Sequence, residues 1–533
     1  MTTSHSPELS PVERRATEKS PFDAQYAPTE KIPTIMVDNF PALGRLAALR
    51  FLEWVGDHPD GVVSLPTGKT PEHFIRWTQH IVNTWDESET AKLREEHGLG
   101  RLEPPSTTGL RFVQIDEFYP IEPDHEKSFY SYIQRFYMEA FGMDPERALL
   151  INCEEIGLPS GHGLWDVWPE GKVDLSLRHR SPENRQEELQ KEVLFSVDQW
   201  CQDYEGRIRD MGGIGFFLGG IGPDGHIGFN VRGSDHHSTT RLAAINYETQ
   251  AAAATDLGGM EIARNRRVIT IGLGTITSNP ECRALILAAG ESKAGVVADA
   301  VQREPNVRYP ATALHSLPGA RLYITEGAGA RLEERNYVRL RRTASPPDEL
   351  SQRYVVDLAH KEGKTIEELT RHDFENDRCA AEILDKRPEG MQRLTESIRR
   401  DLTAKINRGS RTLSNARFLH TEPHHDDLML GYLPYIVRHV RDPSNVHYFA
   451  TMTSGFTAVT NDFMRRQLEE LKRWIDTAEF AELRRERYFS SEHANGRNRD
   501  IWQYLDGVAA GSEPMKKQGA ARRLLRNLME VFD

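Results

Sequence analysis

The stretch IGFFLGGIGPDGHIGFN, residues 214–230, joins a short apolar run to a glycine-rich loop. The run at 214–218 has the length and the apolar character of a strand that is buried on both faces. The loop after it carries Asp224 and His226 one residue apart, so the carboxylate is placed to orient and stabilise the imidazole. Packing alone rarely explains a carboxylate and a histidine together in a glycine-rich loop. We therefore interpret the stretch as a strand that ends in a catalytic loop.

Similar apolar runs occur on both sides of this stretch and alternate with helical patterns. The alternation predicts an α/β fold with an open, mostly parallel sheet that carries helices on both faces. Ligands of such sheets bind beyond the carboxyl ends of the strands. The predicted strands are 61–65, 110–115, 214–218, 267–271, 283–288 and 321–325, and the predicted helices are 41–55, 71–85, 188–210 and 292–303.

Two of the other strand ends have the features of an anion site. The turn after 61–65 holds Thr67, Gly68 and Thr70, and Thr70 before Pro71 is expected to cap a helix whose first amides face an anion. Lys293 lies in the first turn of the helix after 283–288, where a cation is disfavoured unless it faces a bound anion. The alternatives are an ordinary capped helix and a solvated surface lysine.

A pair of carboxylates, Asp116 and Glu117, follows the predicted strand 110–115. Like charge and partial burial raise the pKa of one member of such a pair toward neutrality, which suits a general base. The alternative is that Asp116 caps the next turn.

Composition restricts the class of protein. A net charge of −13 argues against nucleic acid and against an anionic membrane as partners. No apolar stretch has the length of a membrane-spanning helix, and the N-terminus lacks the apolar core of a secretory signal. The four cysteines form no CxxC pair, which suits a reducing compartment. We therefore expect a cytoplasmic protein that acts on a small molecule.

The chain divides into four segments by composition and pattern. Residues 1–30 are rich in serine, proline and charge and are expected to form a disordered tail, followed by the α/β domain at 31–330. Residues 331–412 are charged and helix-prone, which predicts a helical connector. Residues 413–533 begin a second, Rossmann-like α/β domain that is incomplete, with a strand at 417–421, a helix at 428–440 and a strand at 446–453.

Five segments together resemble the glucosamine-6-phosphate deaminase family, whose superfamily includes the 6-phosphogluconolactonases. The segments are SLPTGKTP, QIDEFYP, GGIGPDGHIGFN, TIGLGTIT and AAGESKA, in the order of the family and within residues 35–330. The resemblance implies an isomerising deamination of glucosamine-6-phosphate to fructose-6-phosphate and ammonia. It also implies that this domain needs no cofactor, and we expect a homo-oligomer.

The same resemblance implies roles for individual residues. Asp116 matches the base that moves a proton between C1 and C2 of the open-chain sugar. His226, supported by Asp224, matches the group that assists ring opening. The residues expected to contact the substrate are Thr67, Gly68, Thr70, Glu117, Gly225 and Lys293, of which Thr67, Gly68, Thr70 and Lys293 match phosphate-binding positions.

The sequence departs from the family at two places. The family has a glutamate directly after the Asn that matches Asn230, whereas this chain has Val231 and then Arg232. The family's phosphate-binding arginine in the stretch after Arg241 is also replaced, with Thr255 near its place. Two alternatives to the deaminase therefore stay open: a 6-phosphogluconolactonase-type hydrolase with His226 as base, and a non-catalytic sugar-phosphate sensor.

A second resemblance concerns His424, His425, Asp426 and Asp427, directly after the predicted strand 417–421. The segment is similar to the His-Pro-Asp-Asp motif of zinc-dependent N-deacetylases, with His425 in the place of proline. The resemblance implies zinc ligation by His424 and Asp427, with Asp426 as the base, and a third ligand from a distant histidine. The candidates for that ligand are His439, His447 and His493. Two ligands make an incomplete zinc site, so the alternative is a remnant that binds zinc weakly.

Overall fold

The computed structural model describes residues 8–101, 103–250, 265–424, 426–452, 461–490 and 495–532. They fall into two compact units: the first unit ends at Thr412, and the second unit begins at Leu413. Thr255, His425 and His493 lie outside the described residues.

The first unit contains a large parallel sheet and a small antiparallel sheet. Its strands are β1 Thr34–Val37, β2 Val62–Ser64, β3 Arg111–Val113, β4 Asp116–Tyr119, β5 Ala148–Leu149, β6 Phe216–Gly220, β7 Arg241–Ala243, β8 Arg267–Thr270, β9 Arg283–Ala288 and β10 Arg321–Thr325. The large sheet has the order β1-β10-β9-β6-β2-β3-β5, and all its neighbouring strands are parallel. The predicted fold class is confirmed, and β6, which leads into the glycine-rich loop, lies at the centre of the sheet.

Amphipathic and apolar helices surround the large sheet. Phe51, on the second helix, packs edge-on against Phe216 of β6 and against Phe74 of the third helix, each at 5.4 Å between ring centroids. The α-helices that the structure describes in full in the first unit are α1 Pro11–Lys19, α2 Phe40–Asp57, α3 Glu72–Asn83, α4 Ser88–Glu96, α5 Phe129–Ile133, α6 Leu164–Val167, α7 Arg185–Asp210, α8 Leu273–Thr277, α9 Ala294–Gln302, α10 Glu333–Arg342, α11 Asp348–Glu362, α12 Arg371–Asn376, α13 Arg378–Asp385 and α14 Gly390–Ser410. The buried apolar residues of α10–α14 form a separate core.

The small sheet corrects one prediction about strand pairing. Residues 267–271 were expected to belong to the parallel sheet, but β8 pairs antiparallel with both β4 and β7. An apolar run specifies that a strand is buried, whereas its partners depend on distant parts of the chain. The register places Asp116 opposite Thr270, so the candidate base begins a strand instead of lying in a loop.

The prediction that residues 1–30 form a disordered tail is wrong for residues 8–30. Helix α1 begins with a capping box, in which Ser10 Oγ accepts the Glu13 amide and the Glu13 carboxylate accepts the Ser10 amide. Glu13 is buried, where it also accepts the Tyr323 hydroxyl at 2.9 Å. Glu30 forms a fully buried ion pair with Arg335 at 2.8 Å. These charged residues, which composition assigns to a solvated tail, hold the segment against the sheet.

The described residues of the second unit form two parallel strands and five helices. They are β11 Arg417–Glu422, β12 Val446–Thr451, α15 Asp427–Val440, α16 Asn461–Ile475, α17 Ala478–Arg485, α18 Gly496–Ala509 and α19 Glu513–Phe532. The predicted strand–helix–strand start is confirmed. None of the described helices in either unit is long and apolar enough to cross a membrane.

Candidate active site

Asp224 and His226 form a hydrogen-bonded pair in the loop after β6. Asp224 Oδ1 lies 2.5 Å from His226 Nδ1, and Asp224 Oδ2 accepts the Arg232 amide at 2.9 Å and the Asn246 side-chain amide at 2.6 Å. Burial acts to raise the pKa of Asp224, but these hydrogen bonds outweigh it and hold that pKa below its ordinary value. Asp224 is therefore ionised near neutral pH and accepts the Nδ1 proton, which leaves the lone pair of a neutral His226 on Nε2.

Glycine at position 222 lets the imidazole lie directly on the backbone of the loop. A side-chain carbon at Gly222 would overlap the His226 ring, so a larger residue there would displace the imidazole. The Gly222 amide donates to the His226 carbonyl at 2.9 Å, and the Gly225 amide donates to the Gly222 carbonyl at 3.1 Å. Gly225, predicted to contact the substrate, thus uses its amide to close the turn that presents His226.

Asp116 lies beside the same loop. A side-chain carbon at Gly228 would lie 3.6 Å from Asp116 Oδ2, and Asp116 is 9% exposed. The Phe229 ring links the two segments, with its centroid 6.2 Å from that of His226 and 5.5 Å from that of Phe118 in β4. The structure therefore brings together the carboxylate and the Asp224–His226 pair, which are over 100 residues apart in sequence.

The Asp116 carboxyl has a raised pKa, which suits a general base. Burial, and secondly the neighbouring Glu117 charge, raise its pKa well above the ordinary value. A carboxylate with a raised pKa is a stronger base when it is ionised. The carboxylate pair in the sequence predicts both causes, like charge and burial, and in the structure burial is the larger of the two.

Glu117 holds the backbone at the start of α5 in place. Its fully buried carboxylate accepts the Ser128 hydroxyl at 2.8 Å, the Phe129 amide at 3.1 Å and the Tyr130 amide at 2.7 Å. Burial raises the pKa of Glu117 to about 7, although these hydrogen bonds act to lower it. The Glu117 oxygens bind the start of α5, and a contact of Glu117 with the substrate stays a prediction.

The candidate phosphate-binding residues converge on the end of β6. Thr70 borders Gly220, where an added side-chain carbon would lie 3.0 Å from Thr70 Oγ1. Lys293 Nζ donates to the Ile221 carbonyl at 2.7 Å, and burial lowers the pKa of Lys293 while the Asp224 charge acts to raise it. The predicted threonine turn and the lysine thus meet across one strand end.

The turn that carries Thr67 and Gly68 is held from outside by two tyrosines. Tyr137 donates its hydroxyl to the Pro66 carbonyl at 2.6 Å, and Tyr132 donates to the Gly68 carbonyl at 3.1 Å. Neither tyrosine was identified from the sequence, because the contacts join segments about 70 residues apart.

The start of α3 differs from the sequence prediction in a way that favours an anion. Helix α3 begins at Glu72, Pro71 occupies the N-cap position, and no side chain caps the first turn. The predicted cap by Thr70 is therefore wrong. Neither the Thr67 nor the Thr70 hydroxyl makes a hydrogen bond to another described residue, so both hydroxyls can receive a ligand. The Glu72 amide donates to the Lys69 carbonyl at 3.3 Å, and no side chain caps the amides after it.

Asn230 and the two residues after it fix the far side of the loop. Asn230 is fully buried and donates to the carbonyls of Ile227 at 2.9 Å and Ile271 at 2.8 Å. Val231 follows where the deaminase family has glutamate, and the Arg232 side chain is exposed while its amide binds Asp224. No carboxylate from this position completes the Asp224–His226 pair.

Asn246 and Thr249 also contact this pair, and the sequence analysis missed them. Asn246 donates to Asp224, and Thr249 Oγ1 lies 3.4 Å from His226 Nδ1. The only sequence signal was an Asn three residues before a Thr, an ordinary helix start.

The candidate zinc residues of the second unit lie in a short turn after β11. His424 Nδ1 is 2.5 Å from Asp426 Oδ1, and the His424 amide donates to Asp427 Oδ2 at 2.8 Å. His447 Nδ1 lies 2.9 Å from His420 Nε2 in the strand pair β11–β12. Within the described ranges, no group of three or more His, Cys, Asp or Glu side chains is arranged to hold a metal ion. The described residues therefore do not fit a zinc centre.

Comparisons with known proteins relate more than half of the chain to one kind of enzyme. No family model matches the chain. Glucosamine-6-phosphate deaminase of Bacillus velezensis is 26% identical over 290 residues, which are 54% of this chain and 95% of that protein. Glucosamine-6-phosphate deaminase 2 of Giardia intestinalis is 28% identical over 289 residues, 54% of this chain and 88% of that protein.

Solved structures similar to the chain include a monomeric glucosamine-6-phosphate deaminase, 22% identical with a TM-score of 0.42, over 56% of this chain and 99% of that one. A 6-phosphogluconolactonase from Leishmania guyanensis is 16% identical with a TM-score of 0.35, over 57% of this chain and 98% of that one. The sequence matches relate the N-terminal part of the chain to proteins named glucosamine-6-phosphate deaminase.

Proposed function

We propose that residues 31–330 deaminate glucosamine-6-phosphate to fructose-6-phosphate and ammonia. The approach of Asp116 to Gly228 is the observation that carries this proposal, because it sets a buried base beside the loop of the Asp224–His226 pair. The similarity to deaminases from Bacillus velezensis and Giardia intestinalis supports the choice of substrate.

The reaction begins with ring opening, which is assigned to His226. Nε2 of the neutral imidazole takes the proton of the C1 hydroxyl and returns a proton to the ring oxygen as the C1–O5 bond breaks. The ionised Asp224 stabilises the imidazolium that forms between these two transfers. The product is the open-chain aldehyde with its amine still on C2.

Asp116 then moves a proton from C2 to C1. Removal of the C2 proton, with transfer of one proton from the substrate ammonium group to O1, gives an enol that bears the amine. Return of the Asp116 proton to C1 then leaves a protonated imine at C2 and a hydroxyl at C1. Water adds to this imine and ammonia leaves, so one water is consumed for each ammonia released. Groups of the chain and the substrate's own amine supply the proton transfers, and the proposal includes no cofactor.

The substrate phosphate is assigned to the sites at the ends of β2 and β9. Thr67 and Thr70 offer hydroxyls, the uncapped start of α3 offers amides, and Lys293 offers an ammonium group beside Ile221. An ammonium contact with a phosphate is a charge-assisted hydrogen bond, the stronger kind. These groups favour a phosphorylated sugar over the free sugar.

Turnover of a substrate panel tests the function. Purified protein is incubated with glucosamine-6-phosphate, glucosamine and 6-phosphogluconolactone, while ammonia, fructose-6-phosphate and 6-phosphogluconate are measured. The proposal requires ammonia and fructose-6-phosphate in equal amounts from the first compound and much slower turnover of glucosamine. Hydrolysis of the lactone without ammonia from any compound would contradict it.

The lactonase alternative has one structural observation in its favour. Val231 supplies no carboxylate at the position where the deaminase family has glutamate, and the Asp224–His226 pair alone is suited to activating a water molecule. The same panel separates the two functions, since only the deaminase releases ammonia.

For the second unit, we propose a deacetylase-like remnant that binds zinc weakly. The turn of His424, Asp426 and Asp427 between β11 and α15 supports the relation to zinc deacetylases, and the missing third ligand among the described residues supports weak binding. Metal analysis after dialysis and an acetate-release assay test it. Stoichiometric zinc with acetate release would contradict it.

A further inference from the structure

Asn246 occupies a junction between the catalytic loop and a helix start. It lies between β7 and the helical residues 247–250. Its carbonyl accepts the Gln250 amide at 2.9 Å, and its side-chain Oδ1 accepts the Thr249 amide at 3.0 Å, which is the geometry of an N-cap. The same side chain donates from Nδ2 to Asp224 Oδ2 at 2.6 Å.

The two contacts fix the orientation of the Asn246 amide. A backbone amide can only donate, so the atom facing the Thr249 amide is the oxygen. The ionised Asp224 carboxylate can only accept, so the atom facing it is the nitrogen. Both requirements are met by one orientation, and the reversed amide would lose both hydrogen bonds.

We infer that Asn246 is a positioning residue for the reaction, acting through Asp224 on His226. This inference rests on the proposed function. Asn246 and the Arg232 amide hold one oxygen of Asp224, which directs the other oxygen at His226 Nδ1. The helix start that Asn246 caps also carries Thr249, whose Oγ1 lies 3.4 Å from the same nitrogen. Asn246 thereby keeps the Nδ1 proton on His226 and Nε2 free for the sugar.

The chemistry of the side chain explains why asparagine stands here. Serine, threonine and aspartate also cap helices well. Serine is too short to span from the Thr249 amide to Asp224, and an ionised aspartate has no proton to give to a second carboxylate. Among good N-cap residues, asparagine alone both accepts from the helix and donates to Asp224 at this distance.

The variant Asn246→Ser separates the two roles, because it keeps a cap and loses the donor. Its matched control is Asn184→Ser, at an N-cap of the same geometry in which Asn184 Oδ1 accepts the Glu187 amide at 3.0 Å. Both variants are expected to melt close to the wild type. With glucosamine-6-phosphate, kcat of Asn246→Ser is expected to fall about 10- to 100-fold with little change in KM, and that of Asn184→Ser to stay unchanged.

The variant Asn246→Asp adds a readout that a purely structural role would not move. A carboxylate beside Asp224 raises the pKa of the pair, so a proton shared between them at low pH restores a donor. The ratio of kcat for Asn246→Asp to kcat for Asn246→Ser is therefore expected to rise as pH falls. Titration of Asp116 is common to both variants and cancels in this ratio, as does the charge of Lys293, which also acts on Asp224.

Nitrogen-15 NMR of histidine tests the inference without any turnover. Wild-type protein is expected to show His226 with its proton on Nδ1, and Asn246→Ser is expected to show a mixture of the two tautomers. If the wild type does not deaminate glucosamine-6-phosphate, the proposed function fails while this comparison still stands. Wild-type kcat in Asn246→Ser together with an unchanged His226 tautomer would overturn the inference.

Discussion

The first and second units each place a short polar motif at the end of a parallel strand, but the two motifs have different surroundings. In the first unit, the loop after β6 lies at the centre of seven parallel strands, and neighbouring segments bring Asp116, Thr70 and Lys293 to it. In the second unit, the turn after β11 has one neighbouring strand among the described residues, β12, and His424 contacts both Asp426 and Asp427.

The comparison shows how much of a site comes from the sheet around a motif. The end of a strand in a wide sheet has neighbouring strands on both sides. Polar residues from several segments, each a weak signal in the sequence, therefore lie close together there. A two-stranded sheet assembles at most two such ends. Asp426 is more than half exposed, whereas Asp224 is buried and receives three hydrogen bonds. The hydrogen bonds to Asp224 hold its pKa below the ordinary value.

Replacement of the base gives the largest expected effect on the first unit. Asp116→Asn keeps the shape of the side chain but removes the basic oxygen, so turnover is expected to fall at least about 100-fold with ligand binding retained. Turnover and ligand-induced thermal shift are measured together. The control is Asp60→Asn, an exposed aspartate before β2 that pairs with Arg147, and it is expected to behave as wild type. Full turnover in Asp116→Asn would remove Asp116 from the mechanism.

Replacement of Lys293 tests whether the first unit binds the phosphate group of its substrate. Lys293→Ala removes a charge-assisted contact, and affinity for glucosamine-6-phosphate is expected to fall about 10- to 150-fold. Affinity for unphosphorylated glucosamine should hardly change, which makes the free sugar the control ligand. An equal loss for both ligands, measured by calorimetry, would show that Lys293 does not contact the phosphate.

The pH dependence of turnover tests the burial of Asp116. The base must be ionised to accept a proton, and a raised pKa means that ionisation is complete only at higher pH. The acid limb of the kcat profile is therefore expected above about pH 4, where an ordinary aspartate titrates. An acid limb at the ordinary position would indicate that Asp116 is solvated or is not the base.

The smallest effect is expected from the motif of the second unit. The double variant His424→Ala/Asp427→Ala is expected to leave the deamination rate within about twofold of wild type, because the two sites act independently. Metal content after dialysis is also expected to stay low in both proteins. Loss of deamination in the double variant would show that the contrast between the two units is mistaken.

Much of the first unit could be predicted from the sequence because its strands are continuous apolar runs. Five of the six predicted strands belong to the large sheet, and the Asp224–His226 pair forms as expected. The sixth, β8, was assigned to the wrong sheet, since pairing with β4 and β7 is decided by contacts that no local pattern records.

The sequence did not predict the partners of residues that have two roles or that carry a buried charge. The sequence predicts that Glu117 is a partner of Asp116, but Glu117 binds the start of α5. The sequence also predicts that Glu13 belongs to a solvated tail, but Glu13 is buried against Tyr323. Asn246 reads as an ordinary cap, and only the structure shows its second hydrogen bond to Asp224. In each case, local sequence predicts one partner, and the fold adds another from a distant segment.

Turnover of glucosamine-6-phosphate that carries deuterium at C2, in ordinary water, tests the central claim most directly. If Asp116 moves the C2 proton to C1 within the site, the fructose-6-phosphate formed should carry that deuterium at C1, ammonia should appear in equal amount, and Asp116→Asn should form neither product. Absence of ammonia and fructose-6-phosphate with the wild-type protein, under conditions where the substrate binds, would contradict the account.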